Sequence, residues 1–169
     1  MVQDIETKDD KFKMRFAQKE DIAQILYFIK ELAKYENLLE EVVATEAILR
    51  EWLFEKKVGE VIIGEYEGKP VGFMLFFYNF STFLGRAGIY LEDLYVEPQM
   101  RGKGLGKMML KYLAQLALER KCGRLEWWCL DWNESSINFY KNLGAVPMDE
   151  WTVYRVSGEN LIKLANKGE

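Results

Sequence analysis

The sequence predicts an α/β fold, with helices and strands alternating around a mixed sheet. Three features lead to that expectation. Apolar residues recur at helical spacing over two long stretches, 22–33 and 107–120. Runs rich in aromatic and β-branched residues fill 61–66, 71–80 and 90–96 at strand length. The two kinds of stretch interleave along the chain, as they do in layered α/β proteins.

Residues 1–13 are polar and are expected to fray. A short strand is expected at 14–17. Lys19, Glu20 and Asp21 then open a helix that runs to about Tyr35, with Ile22, Ile25, Leu26, Ile29 and Leu32 or Ala33 as its apolar stripe. Thr45 and Glu46 start a second helix carrying Ile48, Leu49, Trp52 and Leu53. The loop between them holds Glu36, Asn37, Glu40 and Glu41, and charge runs of this kind are usually solvated. Glu67-Gly68-Lys69-Pro70 is a turn joining the strands at 61–66 and 71–80 into a hairpin. Residues 81–88 read as a loop before the strand at 90–96. After the long helix, 124–130 reads as an apolar strand. Asn133 can cap a helix over 134–143, ended by Gly144. A last pair of strands is expected near 145–148 and 152–156, then a short helix over 157–165. No repeat, low-complexity tract or linker interrupts the chain, so it is read as one domain, 1–169.

Composition narrows the function. The chain has no histidine, so acid–base chemistry near neutral pH falls to carboxylates, Tyr, Cys, Lys or water. The net charge of −4 disfavours nucleic acid as a partner and suits a small cationic one. Cys122 and Cys129 match no metal or redox spacing, and no metal is expected. Two thiols without a signal peptide point to a reducing, cytoplasmic setting. No apolar run is long enough to span a membrane.

The chain is organised around 90–107, YLEDLYVEPQMRGKGLGK. A strand stops at Pro98, which cannot donate to a ladder. Gly102, Gly104 and Gly106 follow, then the long helix. A glycine loop opening a helix gathers free N–H donors and the positive end of the helix dipole, a combination that suits phosphate. Arg101, Lys103 and Lys107 add positive charge. Alone, the glycines are equally compatible with an ordinary turn. The spacing fits neither the Walker pattern nor the dinucleotide fingerprint.

Four segments together carry a family resemblance. Arg101-Gly102-Lys103-Gly104-Leu105-Gly106, directly after Val96-Glu97-Pro98, resembles the acetyl-CoA loop of the GNAT superfamily of N-acetyltransferases. The segment 132–141, WNESSINFYK, followed by Leu143-Gly144-Ala145, looks like that superfamily's other CoA-contacting segment. Residues 30–36 and 90–93 narrow the likeness to the spermidine/spermine (diamine) and thialysine N-acetyltransferases. The resemblance spans roughly 14–165. It implies a mixed, mostly antiparallel central sheet flanked by helices. It also implies acetyl transfer from acetyl-CoA to a primary amine by direct attack through a tetrahedral intermediate, and a homodimer with Trp127, Trp128 or the C-terminal segment near the interface.

The resemblance further implies roles for particular residues. Glu92 attracts the ammonium and accepts its proton, directly or through water. Backbone groups of Leu94, Tyr95 and Val96 hold the pantetheine arm, and one N–H polarises the thioester carbonyl, an effect of about 3 kcal/mol per donor. Arg101, Gly102, Lys103, Gly104, Leu105, Gly106 and Lys107 hold the diphosphate, and Asn133 and Ser136 contact the cofactor. Tyr140 serves as general acid toward the sulfur, and also lies in the cofactor site. Its phenol, with a pKa of about 10 against about 8.5 for a thiol, suits hydrogen bonding to a developing thiolate. Tyr35, Glu36, Glu92 and Asp93 face the amine. From the residues alone, Glu92 could equally be a paired buried acid and Tyr140 a core tyrosine. Phe83, Ser135, the longer 82–89 segment and the shorter 147–151 stretch depart from the diamine pattern, near the expected substrate side. They leave open another amine, such as an aminoglycoside, an amino acid or a protein N-terminus. A CoA-binding module without catalysis is the remaining reading.

Overall fold

The computed structural model describes residues 4–166. They fall into two compact units, divided between Trp128 and Cys129.

The first unit is a six-stranded sheet in chain order: β1 (Ile5–Glu6), β2 (Phe12–Phe16), β3 (Glu60–Tyr66), β4 (Lys69–Ser81), β5 (Arg86–Val96) and β6 (Leu125–Trp127). Neighbours are antiparallel except β5 and β6, which run parallel. The sheet is therefore mixed and mostly antiparallel. Residues 5–6 and 12–13 differ from the expected fraying. Phe12 is fully buried and pairs opposite Tyr66, so one large side chain fixes the segment to the sheet.

One face of the sheet is covered by α1 (Ile22–Tyr35). Ile25 and Phe28 pack on Val61, Ile63, Phe73 and Tyr95. Phe28 stacks on Phe73 with ring centroids 5.5 Å apart. Burying a phenylalanine of this kind contributes about 2–3 kcal/mol. The other face takes α3 (Leu105–Glu119), whose Leu105, Met109 and Leu113 are buried. Gly64 lies on that face, two residues from Ile62. A Cβ there would meet the Phe12 ring at 2.9 Å and the Met109 methyl at 3.6 Å. Between α1 and β3, Thr45 Oγ1 accepts the Ile48 N–H at 3.3 Å and caps α2 (Glu46–Leu49), which continues as a π-turn to Glu55. The β4–β5 turn spans only 82–85, tighter than the expected loop over 81–88, because both strands extend to its edges.

In the second unit, α4 (Glu134–Asn142) begins at Asn133, whose Oδ1 accepts the Ser136 N–H at 3.2 Å. Gly144, at φ +87°, ends it in the left-handed region that favours glycine. α5 (Gly158–Ala165) follows. The strands expected near 145–148 and 152–156 do not form: 145–156 carry no helix or strand, and Val146, Trp151 and Tyr154 are exposed. Alternating apolar residues satisfy a strand only when a ladder partner takes their N–H and C=O groups. The strand expected over 124–130 is likewise limited to Leu125–Trp127, the residues that pair with β5.

Candidate active site

The end of β5 is where the predicted residues of the first unit gather. Opposite β4, Leu75 pairs with Asp93 but Phe76 pairs with Leu91, so Glu92 is an extra residue, a β-bulge. The bulge interrupts simple alternation. Leu91 and Leu94 sit opposite Phe76 and Met74, one face. Asp93 and Tyr95 sit opposite Leu75 and Phe73, the α1 face. Glu92 itself is exposed. The parallel ladder with β6 ends at Leu91 opposite Trp127. Beyond that point Asp93, Leu94, Tyr95 and Val96 pair only with β4, Glu92 pairs with neither neighbour, and among the described residues the other edge of 92–96 has no strand partner. Gly72, opposite Val96, admits this close pairing: a Cβ there would lie 2.5 Å from the Tyr95 carbonyl oxygen.

The loop that follows fits an anion. Gly102 and Gly104 have φ of +77° and +79°, with nothing within 4 Å of where a Cβ would lie. Gly104 is the N-cap of α3, and no side chain caps that helix. Its first-turn N–H groups, at Leu105, Gly106 and Lys107, are therefore available to a ligand. Arg101, Lys103 and Lys107 stand around them. These donors fit an anionic group such as a phosphate.

The acidic residues form a second feature. Asp93 is pushed up to about 7, first by burial and then by the charges of Glu92 and Glu36. Burial also raises Glu36, which follows the last residue of α1. Three carboxylates from α1 and β5 are thus electrostatically linked at the bulge.

Sequence reading missed the buttress beneath this corner. The Tyr27 hydroxyl donates to Glu97 Oε1 at 3.0 Å, and the Tyr95 hydroxyl lies 3.4 Å from Glu97 Oε2. One carboxylate thereby ties α1 to the end of β5. Tyr95 is pushed up to about 12, chiefly by burial and then by Glu97. The only local signal was an acid wedged between Val96 and Pro98. Tyr66 was also missed: Lys103 Nζ lies 4.8 Å from its ring centroid. Phe83, expected on the substrate side, is at the β4–β5 turn and 96% exposed. It sits at the opposite end of β5 from the glycine loop, about 20 Å along the strand from Glu92 at the usual rise per residue.

In the second unit, Ser136 and Tyr140 are one turn apart on one face of α4, as the spacing requires. Tyr140 is half-buried beside Phe139, their ring centroids 5.4 Å apart. The predicted residues therefore form two sets, one in each unit.

A family model described as Acetyltransferase (GNAT) family matches residues 23–145. The chain is similar to the thialysine N-epsilon-acetyltransferase of Bos taurus, 39% identical over 166 residues, covering 91% of this chain and 97% of the bovine protein. It is also similar to spermidine/spermine N(1)-acetyltransferase-like protein 1 of Homo sapiens, 33% identical over 171 residues, covering 95% of this chain but 24% of the human one. Among solved structures, an integron cassette protein from the mobile metagenome of V. cholerae superposes with a TM-score of 0.78 at 28% identity, covering 93% of this chain and 99% of that one.

Proposed function

Starting from its membership of the GNAT acetyltransferase family, to which this chain belongs, we propose that it transfers an acetyl group from acetyl-CoA to a primary amine of a small di- or polyamine or a thialysine-like amino acid. Asp93 is the observation that carries the reading. A half-buried carboxyl near the end of β5, coupled to Glu92 and Glu36, suits an ammonium group and a second positive charge on the same molecule. Acetyl-CoA supplies the activated acyl group. The amine nitrogen attacks the thioester carbonyl, a C–N bond forms, the C–S bond breaks, and the sulfur leaves as a thiolate that takes a proton.

The chain's own residues divide this work. The N–H donors of 104–107 hold the diphosphate with Arg101, Lys103 and Lys107. The open edge of Leu94, Tyr95 and Val96 receives the pantetheine amides. Glu92, exposed at the bulge, draws the ammonium in and takes its proton. A second assignment is favoured by Asp93 titrating near neutrality: Asp93 takes the proton and Glu92 only attracts the amine. Glu36 and Tyr35, at the end of α1, complete the amine side. Asn133 and Ser136 contact the cofactor, and Tyr140 hydrogen-bonds and protonates the leaving sulfur. The chain acts as one transferase domain in the cytoplasm, as a homodimer with Trp127, Trp128 or the C-terminal segment near the interface, and without a metal.

A thiol-release assay with acetyl-CoA tests this against spermidine, spermine, putrescine, thialysine, lysine and an aminoglycoside. Turnover is expected with the first four. Release with the aminoglycoside alone would overturn the substrate class. Two variants test the parts. Gly104→Val forces a β-branched residue to φ +79° and is expected to weaken coenzyme A binding at least about tenfold in calorimetry. The space around Gly104 is open, so the effect comes from backbone conformation and the lost loop shape, not from a clash. Glu92→Gln is expected to raise the amine KM or lower kcat, most at neutral pH. An equal effect at every pH would remove Glu92 as the base.

A further inference from the structure

Resting on the reading of 101–107 as the diphosphate loop, we infer that Tyr35 is a positioning residue for Arg101, so that the last turn of α1 serves the cofactor as well as the amine. Tyr35 was expected only on the amine side. In the structure its ring carries a cation already: the Arg101 guanidinium carbon lies 4.7 Å from the Tyr35 ring centroid and 5.8 Å from that of Tyr95. Arg101 Nε donates to the Val96 carbonyl at 3.0 Å. Two rings and one carbonyl therefore fix the plane of the guanidinium. Among the described residues its two terminal nitrogens make no hydrogen bond. These nitrogens are the fork that grips phosphate oxygens in pairs.

The cost of holding a long side chain explains why a seat matters. A free arginine at the edge of a glycine loop must be ordered when an anion binds. Arg101 is exposed, and with Gly102 next to it the local backbone does little to restrain it. Tyr35 supplies that restraint from a different element, and α1 is itself anchored by Phe28 in the core and by the Tyr27–Glu97 hydrogen bond. Lys103 has a similar seat on Tyr66, whereas Lys107 has no ring beneath it among the described residues. The seat on Tyr35 differs in consequence, because the next residue is Glu36, one of the three linked carboxylates.

The test is calorimetric titration of the full chain with coenzyme A, without amine. Tyr35→Leu is expected to raise the Kd about fivefold, the size of one exposed cation–π contact, while Tyr35→Phe, which keeps the ring, retains the wild-type value. In an Arg101→Gln background, Tyr35→Leu is expected to add nothing further. An unchanged Kd in Tyr35→Leu, or equal weakening with and without Arg101, would overturn the inference. If Tyr35→Leu does not fold, Tyr35→Gln takes its place with the same expectation. A wild-type chain that does not bind coenzyme A would instead sink the loop assignment itself.

Discussion

Replacing Asp93 with Asn should make the free protein more stable at pH 8 and the enzyme markedly slower. In the folded state Asp93 titrates at about 7, well above the ordinary 3.8. Burial is the main cause, with Glu92 and Glu36 adding repulsion. Between about pH 4 and pH 7 the unfolded chain has lost this proton and the folded chain still holds it. Stability is therefore greatest below pH 4 with respect to this group, falls as pH rises through that window, and levels off above 7. At pH 8 the buried charge costs on the order of 2 kcal/mol, after allowance for its coupling to two other carboxylates. Asparagine has nearly the same shape and no charge to bury. Thermal melts should show Asp93→Asn about 5 °C higher than wild type at pH 8 and close to it at pH 4. On the assignment in which Asp93 takes the proton, the same substitution should lower kcat/KM for the amine roughly a hundredfold, the usual size of a lost general base. An equal difference in melting temperature at both pH values would show that the carboxyl is not titrating in this range. Gain of stability with loss of activity in one variant is what a strained functional group predicts.

Tyr140→Phe should reduce turnover by about two orders of magnitude while leaving coenzyme A affinity within about twofold. Only the hydroxyl is removed. The ring keeps its place beside Phe139 on α4, and the helix keeps its cap at Asn133 and its end at Gly144. A thiolate leaving without a partner carries the full charge, so the hydroxyl matters when the C–S bond breaks and little before. Single-turnover release of thiol separates the two steps: acetyl-CoA binding should be normal and thiol release slow. Turnover equal to wild type would take Tyr140 out of the mechanism. Weakened coenzyme A binding with normal kcat would make it a cofactor contact only.

Much of the first unit was legible because its signals are local. Pro98 stops β5, the glycines shape the loop, and α3 follows where apolar residues recur at helical spacing. Thr45 caps the helix it was expected to start and Asn133 the one it was expected to cap, since a cap is decided within four residues. The bulge at Glu92 was not legible. It depends on how β4 and β5 align over their whole length, and nothing in the sequence around Glu92 marks an extra residue. Phe12 misled for a related reason: one aromatic in a polar stretch has no periodicity, yet its pairing with β3 places it in the core. The apolar alternation in 145–156 misled in the other direction, because pattern alone does not provide an edge to pair with.

By itself, the sequence determined the order of helices and strands from α1 to α3 and the sharp turn of the glycine loop, as well as the need for catalysis without histidine. These follow from turn residues, periodicity and composition, which act over a few residues or not through space at all. Tertiary structure alone decided that Asp93 titrates near neutrality, that Glu92 bulges out of β5 and that Arg101 rests on Tyr35. Each requires groups from separate elements to meet, and desolvation, repulsion and ring contact fall off within a few ångströms.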